Sequence, residues 1–423
     1  MLKSIYHSIT PVWLRKKKAY FFFLNIPKYK RLHTLRIRQI QKTKSARVLF
    51  LAGELSMWRY QGIYELLAKD PRFDIKIAIH PPIIREQETT SKKLEEYFKS
   101  HNMPCVNATE AGFNHQSFLD KFDPDIIFYC QPYSNAFNNA LEYENNKHRL
   151  LAYIPYGLIT VNNDWAYNGE FQNIAWRIYQ ASELHKQTAR RICVNKGENI
   201  VVTGEPHADD FAQNLKHNPW KTIPDKSERK KIIWAAHASI QKISSLGRNS
   251  FLWLNEQMIE IASKFEDNVQ FVFKPHPYLY NSLIDLWGKT KTDEYYNRWR
   301  NGYNTQLETG DFIELFKSSD GMIHDCGSFT AEYLFTESPV IFMSKDMNTV
   351  RGMADDFGNR CLDMHYIGND SSDVENFIKE IVIGEKDPMS KKRTAFKKDM
   401  LTPPNGKSVA FNIYTDILQS LGL

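Results

Sequence analysis

"VQFVFKPHP", the stretch from Val269 to Pro277, starts as an apolar strand and ends in a lysine, a histidine and two prolines. Its β-branched and aromatic residues predict a strand that is covered on both faces, as in a parallel sheet. Because the prolines stop any ladder or helix, we expect Lys274 and His276 on a stiff loop at the carboxyl end of that strand. Open α/β sheets bind their ligands at this edge, so the stretch predicts both a fold class and a site.

Other apolar runs of the same kind alternate with helical segments along the chain. In the first half they are "ARVLFLAGE" (46–54), "FDIKIAIHPP" (73–82), "PDIIFYCQPY" (124–133), "RLLAYIPYG" (149–157) and "NIVVTGEPH" (199–207). In the second half they are "KIIWAAH" (231–237), "GMIHDCGS" (321–328) and "SPVIFMS" (338–344). This alternation predicts parallel sheets.

The length of 423 residues indicates two domains, and the polar stretch "NPWKTIPDKSERK" (218–230) lies between the two runs of strands. We predict an α/β protein of the GT-B class, with two Rossmann-like, doubly wound domains facing a cleft and a basic N-terminal extension. The predicted division is an extension at 1–46, a first Rossmann-like domain at 47–215 and a second Rossmann-like domain at 216–423. The last helix, "FNIYTDILQSLGL", could belong to either half.

Basic residues are concentrated at the start of the chain. Residues 1–47 contain 13 of the 55 Lys and Arg residues and none of the 49 Asp and Glu residues, so the rest of the chain is net acidic. Residues 1–46 also contain clustered aromatic residues, as in "AYFFFL" (19–24). This composition predicts a segment that lies on an anionic membrane surface. A solvated arm that packs on the protein itself is the alternative, and the rest of the sequence contains no nucleic-acid motif to support a third reading.

The cysteines and the apolar runs indicate where in the cell the protein lies. Five cysteines without a C-x-x-C pair indicate neither a disulfide framework nor a zinc site, and "AYFFFL" is much shorter than a spanning helix. We therefore expect a peripheral protein at the cytoplasmic face of a membrane.

The segment "GMIHDCGSFTAEYLFTESPVIF" (321–342) predicts a strand, a tight turn and a helix. Gly327 allows close backbone approach, and Ser328 is a good helix cap or phosphate donor. The N–H groups of the first helical turn favour an anion, so the turn is suited to a phosphate, although an ordinary capped turn would look the same. His237, His276 and the segment Gly204–His207 lie at other strand ends, and imidazoles around such a turn suit a diphosphate.

Four stretches, "VVTGEPHADD", "KIIWAAHASI", "FKPHP" and "GMIHDCGSFTAEYLFTESPVIF", occur in an order and spacing that resemble the CDP-glycerol glycerophosphotransferase family of teichoic-acid and capsule polymer synthesis. The likeness covers about residues 200–345. It implies a CDP-linked alditol phosphate as donor, bound by the C-terminal half, and a lipid-linked or capsular glycan as acceptor.

The resemblance also assigns residues. His276 matches the family's histidine after Lys-Pro, and Asp325, Ser328 and Glu332 match the acid, the second serine and the later acid of its T-D-Y-S-S-x-x-x-D segment. His324 and Gly327 replace the Thr and the first Ser of that segment. His237 replaces the Thr of an A-P-T-W segment.

One departure from the family lies in the first half. Where the family has a His-Gly pair that is thought to supply the general base, this chain has Tyr156 and Gly157. A tyrosine is a poor base unless its pKa is strongly perturbed. Glu54, at the end of the first strand, and Asp164 are the nearby carboxylates, and we rank His237 and Glu54 first as candidates, although Glu54 could equally be a solvated capping acid.

The predicted catalytic residues are His237, Glu54 and His276. The predicted substrate-binding residues are Lys274, Gly204, His207, His324, Asp325, Gly327, Ser328, Phe329, Glu332, Tyr156 and Gly157. No metal or other cofactor is expected, since the acid pairs at 209–210 and 355–356 do not closely follow strands. Two other functions remain open: a GT-B glycosyltransferase that uses a nucleotide sugar, and a catalytically silent module that recruits partners at the membrane.

Overall fold

The computed structural model describes residues 12–83, 87–225, 228–240 and 249–423, with side chains described from residue 26 onward. The chain divides into two compact units. The first unit comprises the chain up to Gly157 together with Asn163–Pro206 and Pro403–Leu423. The second unit comprises Leu158–Asn162 and His207–Thr402.

The first unit is built on a parallel sheet of seven strands. These are β1 (Ala46–Ala52), β2 (Phe73–Ile79), β3 (Cys105–Asn107), β4 (Ile126–Phe128), β5 (Leu150–Tyr153), β6 (Arg177–Gln180) and β7 (Ile200–Val202), in the order β3-β2-β1-β4-β5-β6-β7. The helices up to Pro206 are α1 (Val12–Thr43), α2 (Gln61–Ala68), α3 (Gln87–Ser100), α4 (His115–Phe122), α5 (Asp164–Asn168), α6 (Glu170–Ile174) and α7 (Glu183–Ile192). Short 3₁₀ turns lie at Leu55–Met57 and Tyr143–Asn145.

The second unit has a parallel sheet of six strands. These are β8 (Lys230–Ala235), β9 (Val269–Phe273), β10 (Thr305–Leu307), β11 (Gly321–His324), β12 (Val340–Met343) and β13 (Tyr366–Gly368), in the order β10-β9-β8-β11-β12-β13. Its helices are α8 (His207–Phe211), α9 (Phe251–Lys264), α10 (Leu279–Trp287), α11 (Lys289–Asn301), α12 (Ile313–Lys317), α13 (Phe329–Glu332), α14 (Met347–Met353), α15 (Asp356–Leu362), α16 (Ser371–Asn376) and α17 (Ser390–Phe396). A 3₁₀ turn at Tyr333–Thr336 and π-helical turns at Phe377–Ile383 and Lys397–Leu401 complete this unit.

Aromatic side chains from the strands form the centre of each unit. In the first unit, Phe50 of β1 stacks on Phe128 of β4 with ring centroids 4.8 Å apart. In the second unit, Trp234 of β8 lies 4.7 Å from Phe273 of β9 and 5.3 Å from Trp299 of α11, centroid to centroid. Each fully buried side chain of this size contributes about 1.5–3 kcal/mol, so these rings stabilise the strands on which they lie.

The predicted α/β class is confirmed, with two Rossmann-like units of parallel strands. Every strand that the sequence predicts is present, and Val269–Phe273 has the predicted bounds. The short strands β3, β6, β10 and β13 were not predicted.

The division of the chain differs from the predicted boundaries in three places, the first of which is that Leu158–Asn162 lies in the second unit. The second unit resumes at His207 rather than at residue 216, and the chain end from Pro403 onward lies in the first unit, after a 3₁₀ turn at Pro404–Gly406. The last helix, α18 (Val409–Leu421), contacts α2. Asp416 of α18 pairs with Arg177 of β6 at 3.0 Å, which fixes the helix to the first sheet.

Helix α1 packs on the first unit along its second half. Ile26, His33 and Ile40, spaced seven residues apart, are buried. Arg36 pairs with Asp125 at 3.0 Å, and burial lowers the pKa of His33 to about 4. Residues 26–43 are therefore part of the body of this unit as well as of the predicted N-terminal extension. The predictions for residues 1–11 lie outside the described residues.

Among the residues that the structure describes, no helix is both long and apolar enough to cross a membrane.

Candidate functional site

The predicted donor residues of the second unit follow three neighbouring strands. The strand order reverses between β8 and β11, and β9 lies on the other side of β8. His237 comes after β8, His276 after β9, and the segment Asp325–Ser328 after β11. Ligands of open α/β sheets bind beside such a reversal, outside the carboxyl ends of the strands. The fold therefore brings these residues together at its expected ligand edge.

His237 and His276 form a pair of imidazoles with ring centroids 5.1 Å apart. In each ring Nδ1 accepts a backbone N–H from two residues further on, Ser239 for His237 and Tyr278 for His276, both at 3.2 Å. A neutral ring whose Nδ1 accepts carries its proton on Nε2. Burial and the neighbouring His237 lower the pKa of His276 to about 4, so His276 is a neutral Nε2–H donor near pH 7.

Asp325 is fully buried and holds the loops of the site in place. Its Oδ1 accepts the backbone N–H of His237 at 2.7 Å, and its Oδ2 accepts that of Ser250, just before α9, at 2.8 Å. A carboxylate that accepts two buried N–H groups fixes the direction of both segments. Asp325 is thus placed to position His237 rather than to touch a ligand, which differs from its predicted direct role.

The turn after β11 presents Ser328 to solvent, with Gly327 half-buried beside it. Ser328 is the N-cap residue of α13, and its side chain makes no capping hydrogen bond. The predicted capped turn is therefore not formed by this hydroxyl. Phe329 packs against Phe312 and Phe316, with centroid distances of 5.5 and 4.9 Å, so its ring supports the turn from within the unit.

Glu332 is buried on the following helical turn, and its Oε1 lies 3.8 Å from Nδ1 of His207. The His207 ring in turn packs edge-on against Phe312, with centroids 5.1 Å apart. These two predicted residues therefore lie together in the second unit, beneath the turn that carries Ser328.

Two predicted ligands, Lys274 and His324, are buried instead of lying at the open edge. Nζ of Lys274 donates to the carbonyl oxygen of Gly310 at 2.6 Å, and burial lowers the pKa of this lysine. Nε2 of His324 lies 3.1 Å from Nε2 of His365. Both side chains therefore stabilise the loops around the site, and a direct contact with a phosphate is not favoured by their placement.

The hydrogen bonds of the His324 and His365 rings determine which nitrogen of each ring carries the proton. Nδ1 of His324 accepts the N–H of Cys326 at 3.2 Å, whereas Nδ1 of His365 lies 2.8 Å from the carbonyl oxygen of Cys361. His324 must then donate through Nε2 to Nε2 of His365, which donates through Nδ1. Burial lowers the pKa of His365 to about 4, which keeps the His365 ring neutral near pH 7. The sequence analysis missed His365, and its only signal is a histidine just before a short strand.

In the first unit the predicted residues have different surroundings. Glu54 follows β1 and is half-buried, and its Oε2 accepts the hydroxyl of Ser56 at 3.3 Å. It makes no side-chain capping bond to the turn that it precedes. Gly204 has φ of +98°, and a Cβ there would lie 3.1 Å from Cα of Pro403, so this glycine is needed for close packing rather than for a ligand.

Tyr156 and Gly157 are half-buried after β5. The Tyr156 hydroxyl lies 2.9 Å from that of Tyr133, and the Tyr156 carbonyl accepts from Nη2 of Arg59 at 2.7 Å. Arg59 also lies 3.8 Å from the buried Glu205. Arg59, Tyr133 and Glu205 were not predicted as site residues, because nothing in their local sequence shows that they meet at the end of β5.

Among the described residues, no group of three His, Cys, Asp or Glu side chains is arranged to hold a metal ion. Of the acid pairs that the sequence analysis considered, Asp355 caps helix α15 by accepting the N–H of Gly358 at 2.7 Å.

Solved structures with a similar fold include two groups of proteins. The wall teichoic acid polymerase TagF matches with a TM-score of 0.59 and 13% identity, over 98% of this chain and 100% of that chain. The S. aureus MnaA structure with UDP matches with a TM-score of 0.56 and 12% identity, over 89% and 97% of the two chains. The UDP-GlcNAc 2-epimerase from Neisseria meningitidis, bound to UDP-GlcNAc, matches with a TM-score of 0.52 and 16% identity, over 88% and 100%. At these identities the likeness establishes the GT-B-type fold.

A search of curated proteins finds no significant match. The sequence model of the CDP-Glycerol:Poly(glycerophosphate) glycerophosphotransferase family matches residues 176–419, which is more than half of the chain and includes every candidate residue of the second unit. The resemblance predicted from the four motifs is therefore confirmed, and the chain belongs to the CDP-glycerol glycerophosphotransferase family, as a transferase of that type.

Proposed function

We propose that the chain transfers glycerol phosphate, or ribitol phosphate, from a CDP-alditol to a hydroxyl of a membrane-linked or capsular glycan. The acceptor oxygen bonds to the phosphorus that bears the alditol, and the bond from that phosphorus to the bridging oxygen breaks. CMP leaves with the electron pair, and the acceptor proton passes to a base. Such a reaction depends mainly on positioning and on stabilising the charge that develops on the phosphates.

The arrangement of His237 and His276 carries this proposal. Both rings direct their Nδ1 atoms to backbone N–H groups, which leaves Nε2–H as the donor in the neutral form. Two imidazoles whose Nδ1 atoms accept backbone N–H groups and the exposed Ser328 hydroxyl lie after neighbouring strands at the reversal of the sheet. We assign His276 and Ser328 to the donor diphosphate, and His237 to the charge that develops on the leaving phosphate.

Calorimetry with CDP-glycerol, CDP-ribitol, UDP-glucose and CMP tests the donor class. We expect a CDP-alditol to bind and to yield CMP when an acceptor is added. Preferred binding of UDP-glucose would replace the proposal with a nucleotide-sugar glycosyltransferase. If no nucleotide binds, the remaining alternative is that the chain is a catalytically silent module that recruits partners at the membrane.

We assign the role of general base to Glu54. The Nδ1 hydrogen bond of His237 makes its neutral ring a donor, whereas Glu54 is a half-buried carboxylate after β1, beside the strand reversal of the first sheet. Glu54→Gln should lower kcat and leave CDP-glycerol affinity unchanged, as for a group that acts in the transition state. An unchanged kcat would leave Glu54 as a solvated loop acid.

We infer that transfer needs no bound metal, so that EDTA should leave the rate of CMP release unchanged. A loss of rate that Mg²⁺ or Mn²⁺ restores would contradict this inference.

We also propose that helix α1 binds an anionic membrane surface and keeps the enzyme at the cytoplasmic face of the bacterial inner membrane. The exposed side chains of its described part include Lys28, Arg31, Leu35, Arg38 and Lys42. Their alternating spacing of three and four residues places them on one face of the helix, away from the buried Ile26, His33 and Ile40. Each basic residue near such a surface contributes about 1 kcal/mol.

Sedimentation with phosphatidylglycerol vesicles tests the membrane proposal. Changing Lys28, Arg31, Arg38 and Lys42 to Glu should abolish binding. The control changes the exposed Lys69, Lys92, Lys93 and Lys99 to Glu, which alters the net charge equally. Equal pelleting of the two variants would contradict the proposal. Wild-type binding should weaken with salt, and a salt-resistant part should be lost in Phe21→Ser, Phe22→Ser, Phe23→Ser.

A further inference from the structure

The first unit contains a cavity of about 700 Å³ that the candidate donor site does not use. Its lining comes from residues 112–116, which end the loop after β3 and begin α4, and from residues 138–140 and 145, between β4 and β5. Both loops follow the carboxyl ends of parallel strands, which is the ligand edge of such a sheet. The cavity is open to solvent, since Gly112, Asn114, Gln116, Asn139 and Asn145 are exposed.

The described lining residues of this cavity include no Asp, Glu, Lys or Arg. Four asparagines and one glutamine supply most of the polar groups, together with the rings of Phe113 and His115. Burial lowers the pKa of His115, so its imidazole is neutral near pH 7. The cavity is therefore polar and uncharged, in contrast to a site for a phosphate, which would call for cationic side chains.

Three of these amides use their oxygen atoms within the protein. Oδ1 of Asn114 accepts from the N–H of Ser117 at 2.8 Å, and Oδ1 of Asn138 accepts from that of Ala140 at 3.1 Å. Oδ1 of Asn139 accepts from Nδ2 of Asn145 at 3.1 Å. The hydrogen bonds fix the orientation of each amide, and its NH₂ group has no partner among the described residues.

The other two amides use their nitrogen atoms. Nδ2 of Asn145 donates to Asn139, and Nε2 of Gln116 donates to Asp120 at 2.8 Å. Their carbonyl oxygens have no partner among the described residues. The cavity thus offers amide donors and amide acceptors side by side, which suits hydroxyl groups because each hydroxyl both donates and accepts. The Phe113 ring adds an apolar surface for the C–H face of a sugar.

We propose that this amide pocket, lined by residues 112–116, 138–140 and 145, binds a neutral, hydroxyl-rich saccharide unit of the acceptor. The inference rests on the proposed function, since the saccharide belongs to the glycan that receives the alditol phosphate. It assigns recognition of the acceptor to uncharged sugar rings. A chain of polyol phosphates would carry charges that this pocket has no group to meet.

The test uses the full-length protein and three neutral disaccharides, namely lactose, maltose and N,N′-diacetylchitobiose, with glycerophosphoglycerol as the charged polyol. Saturation-transfer NMR and calorimetry measure binding. The variant Asn114→Asp, Asn138→Asp keeps both oxygens that accept backbone N–H groups, but it replaces the two NH₂ donors. The control Asn107→Asp, Asn218→Asp has the same charge change at asparagines outside the pocket whose oxygens also accept backbone N–H groups.

We expect at least one disaccharide to bind the wild type and the control, with affinity about tenfold lower or worse in the pocket variant. Glycerophosphoglycerol should not displace it, and thermal unfolding should match between the two variants. If no disaccharide binds, if the pocket variant binds as the wild type does, or if glycerophosphoglycerol competes, the inference is overturned. CDP-glycerol binding is measured on the same samples: its absence would refute the proposed function, whereas its presence without saccharide binding would refute only the pocket.

Discussion

The two sheets have the same arrangement at their amino ends and different chemistry at their carboxyl ends. In the first unit, Asp125 precedes β4, and its Oδ2 accepts the backbone N–H of Arg47 in β1 at 2.8 Å. In the second unit, Asp320 precedes β11, and its Oδ2 accepts the backbone N–H of Lys231 in β8 at 2.7 Å. The two strand pairs at the reversals, β1 with β4 and β8 with β11, thus begin with the same aspartate bond.

The equivalent strands end differently. Five residues beyond the amino-end aspartates lie Cys130 in the first unit and Asp325 in the second. Asp325 accepts the N–H of His237, whereas Cys130 lies against Gly53, where an added Cβ would be 2.8 Å from the sulfur. Burial raises the pKa of the Cys130 thiol to about 12, and a backbone hydrogen bond from Gly53 opposes this rise. The backbone N–H that follows the strand is therefore accepted by a carboxylate in the second unit and by a thiol in the first unit.

The amino ends of the two sheets are alike and their carboxyl ends differ, so we expect the amino ends to serve folding and the carboxyl ends to serve function. A shared aspartate at the amino end positions the strands in both units, which indicates a structural role. The carboxyl end of the second unit contains a buried carboxylate, which costs free energy to desolvate and lies beside His237. We infer that this cost is linked to holding His237 for the donor, and the predictions below test that link.

The largest effect is expected for Asp325→Ala. It leaves the buried N–H groups of His237 and Ser250 without their acceptor, at about 1–3 kcal/mol each, so the free energy of unfolding should fall by about 2–6 kcal/mol. CDP-glycerol affinity should fall as well. Urea unfolding and calorimetry measure the two quantities.

Asp320→Ala is the matched control for Asp325→Ala. It also removes a carboxylate that accepts a strand N–H, but at the amino end of the same strand pair. The free energy of unfolding should fall by about 1–3 kcal/mol, with donor affinity unchanged in the folded protein. If both variants lose donor affinity equally, the two ends do not differ in function.

The second prediction concerns the loss of folding stability at low pH that the buried histidine pair causes. One member is His324, which lies at the strand position that Tyr129 occupies in the first unit. Its partner His365 has a pKa of about 4 when folded because of burial. The unfolded ring has a pKa near 6.5, so between these values the unfolded state binds more protons and stability falls as the pH falls. The full difference is on the order of 3 kcal/mol.

His365→Gln removes this titration, and the glutamine amide can donate and accept hydrogen bonds in place of the ring. Urea unfolding at several pH values from 7 to 4 should show a smaller loss of stability in the variant than in the wild type. Identical losses would mean that the buried histidine pair does not control acid stability.

The third prediction concerns Ser328 and the two imidazoles of the second unit that follow β8 and β9. His276→Ala and Ser328→Ala should each lower CDP-glycerol affinity by about tenfold or more, since a hydrogen bond to a charged group contributes about 1.5–3 kcal/mol. His276→Gln should retain part of the affinity, because its amide can replace Nε2–H. His237→Ala should lower kcat more than donor affinity.

Calorimetry and CMP release measure these changes, and His217→Ala, at an exposed histidine outside the site, is the control. Unchanged affinity in both His276→Ala and Ser328→Ala would place the donor elsewhere. An equal loss of kcat and affinity in His237→Ala would make it a binding residue.

The sequence signals for the ligand edge of the second unit are local, whereas those of the first unit are not. In "VQFVFKPHP" and "GMIHDCGS", the strand, its end and the polar residues lie within ten residues, so residue types alone indicate the ligand edge. The Tyr156 region depends on Arg59, which donates to it from 97 residues away. A sequence pattern contains no sign of such a contact.

Burial explains the remaining differences. Lys274 and His324 have the residue types of phosphate ligands, but their partners, Gly310 and His365, come from other loops and hold them inside the unit. The strands β3, β10 and β13 have three residues each and include a polar residue or a glycine, so they lack the continuous apolar run that identifies the equally short β4 and β7. The place of α18 depends on its pairing with Arg177, which local composition does not reveal.

The smallest effect is expected for Cys130→Ala, at the position in the first unit that corresponds to Asp325. The change removes one buried sulfur and a weak acceptor, so the free energy of unfolding should fall by about 1 kcal/mol. CDP-glycerol affinity and kcat should not change, because the Gly53 N–H gives up only a neutral partner and Gly53 carries no side chain for a donor. Urea unfolding and calorimetry, run beside Asp325→Ala, measure the contrast. A loss of donor affinity in Cys130→Ala as large as that in Asp325→Ala would show that the two carboxyl ends act alike, and would end the assignment of the donor to the second unit alone.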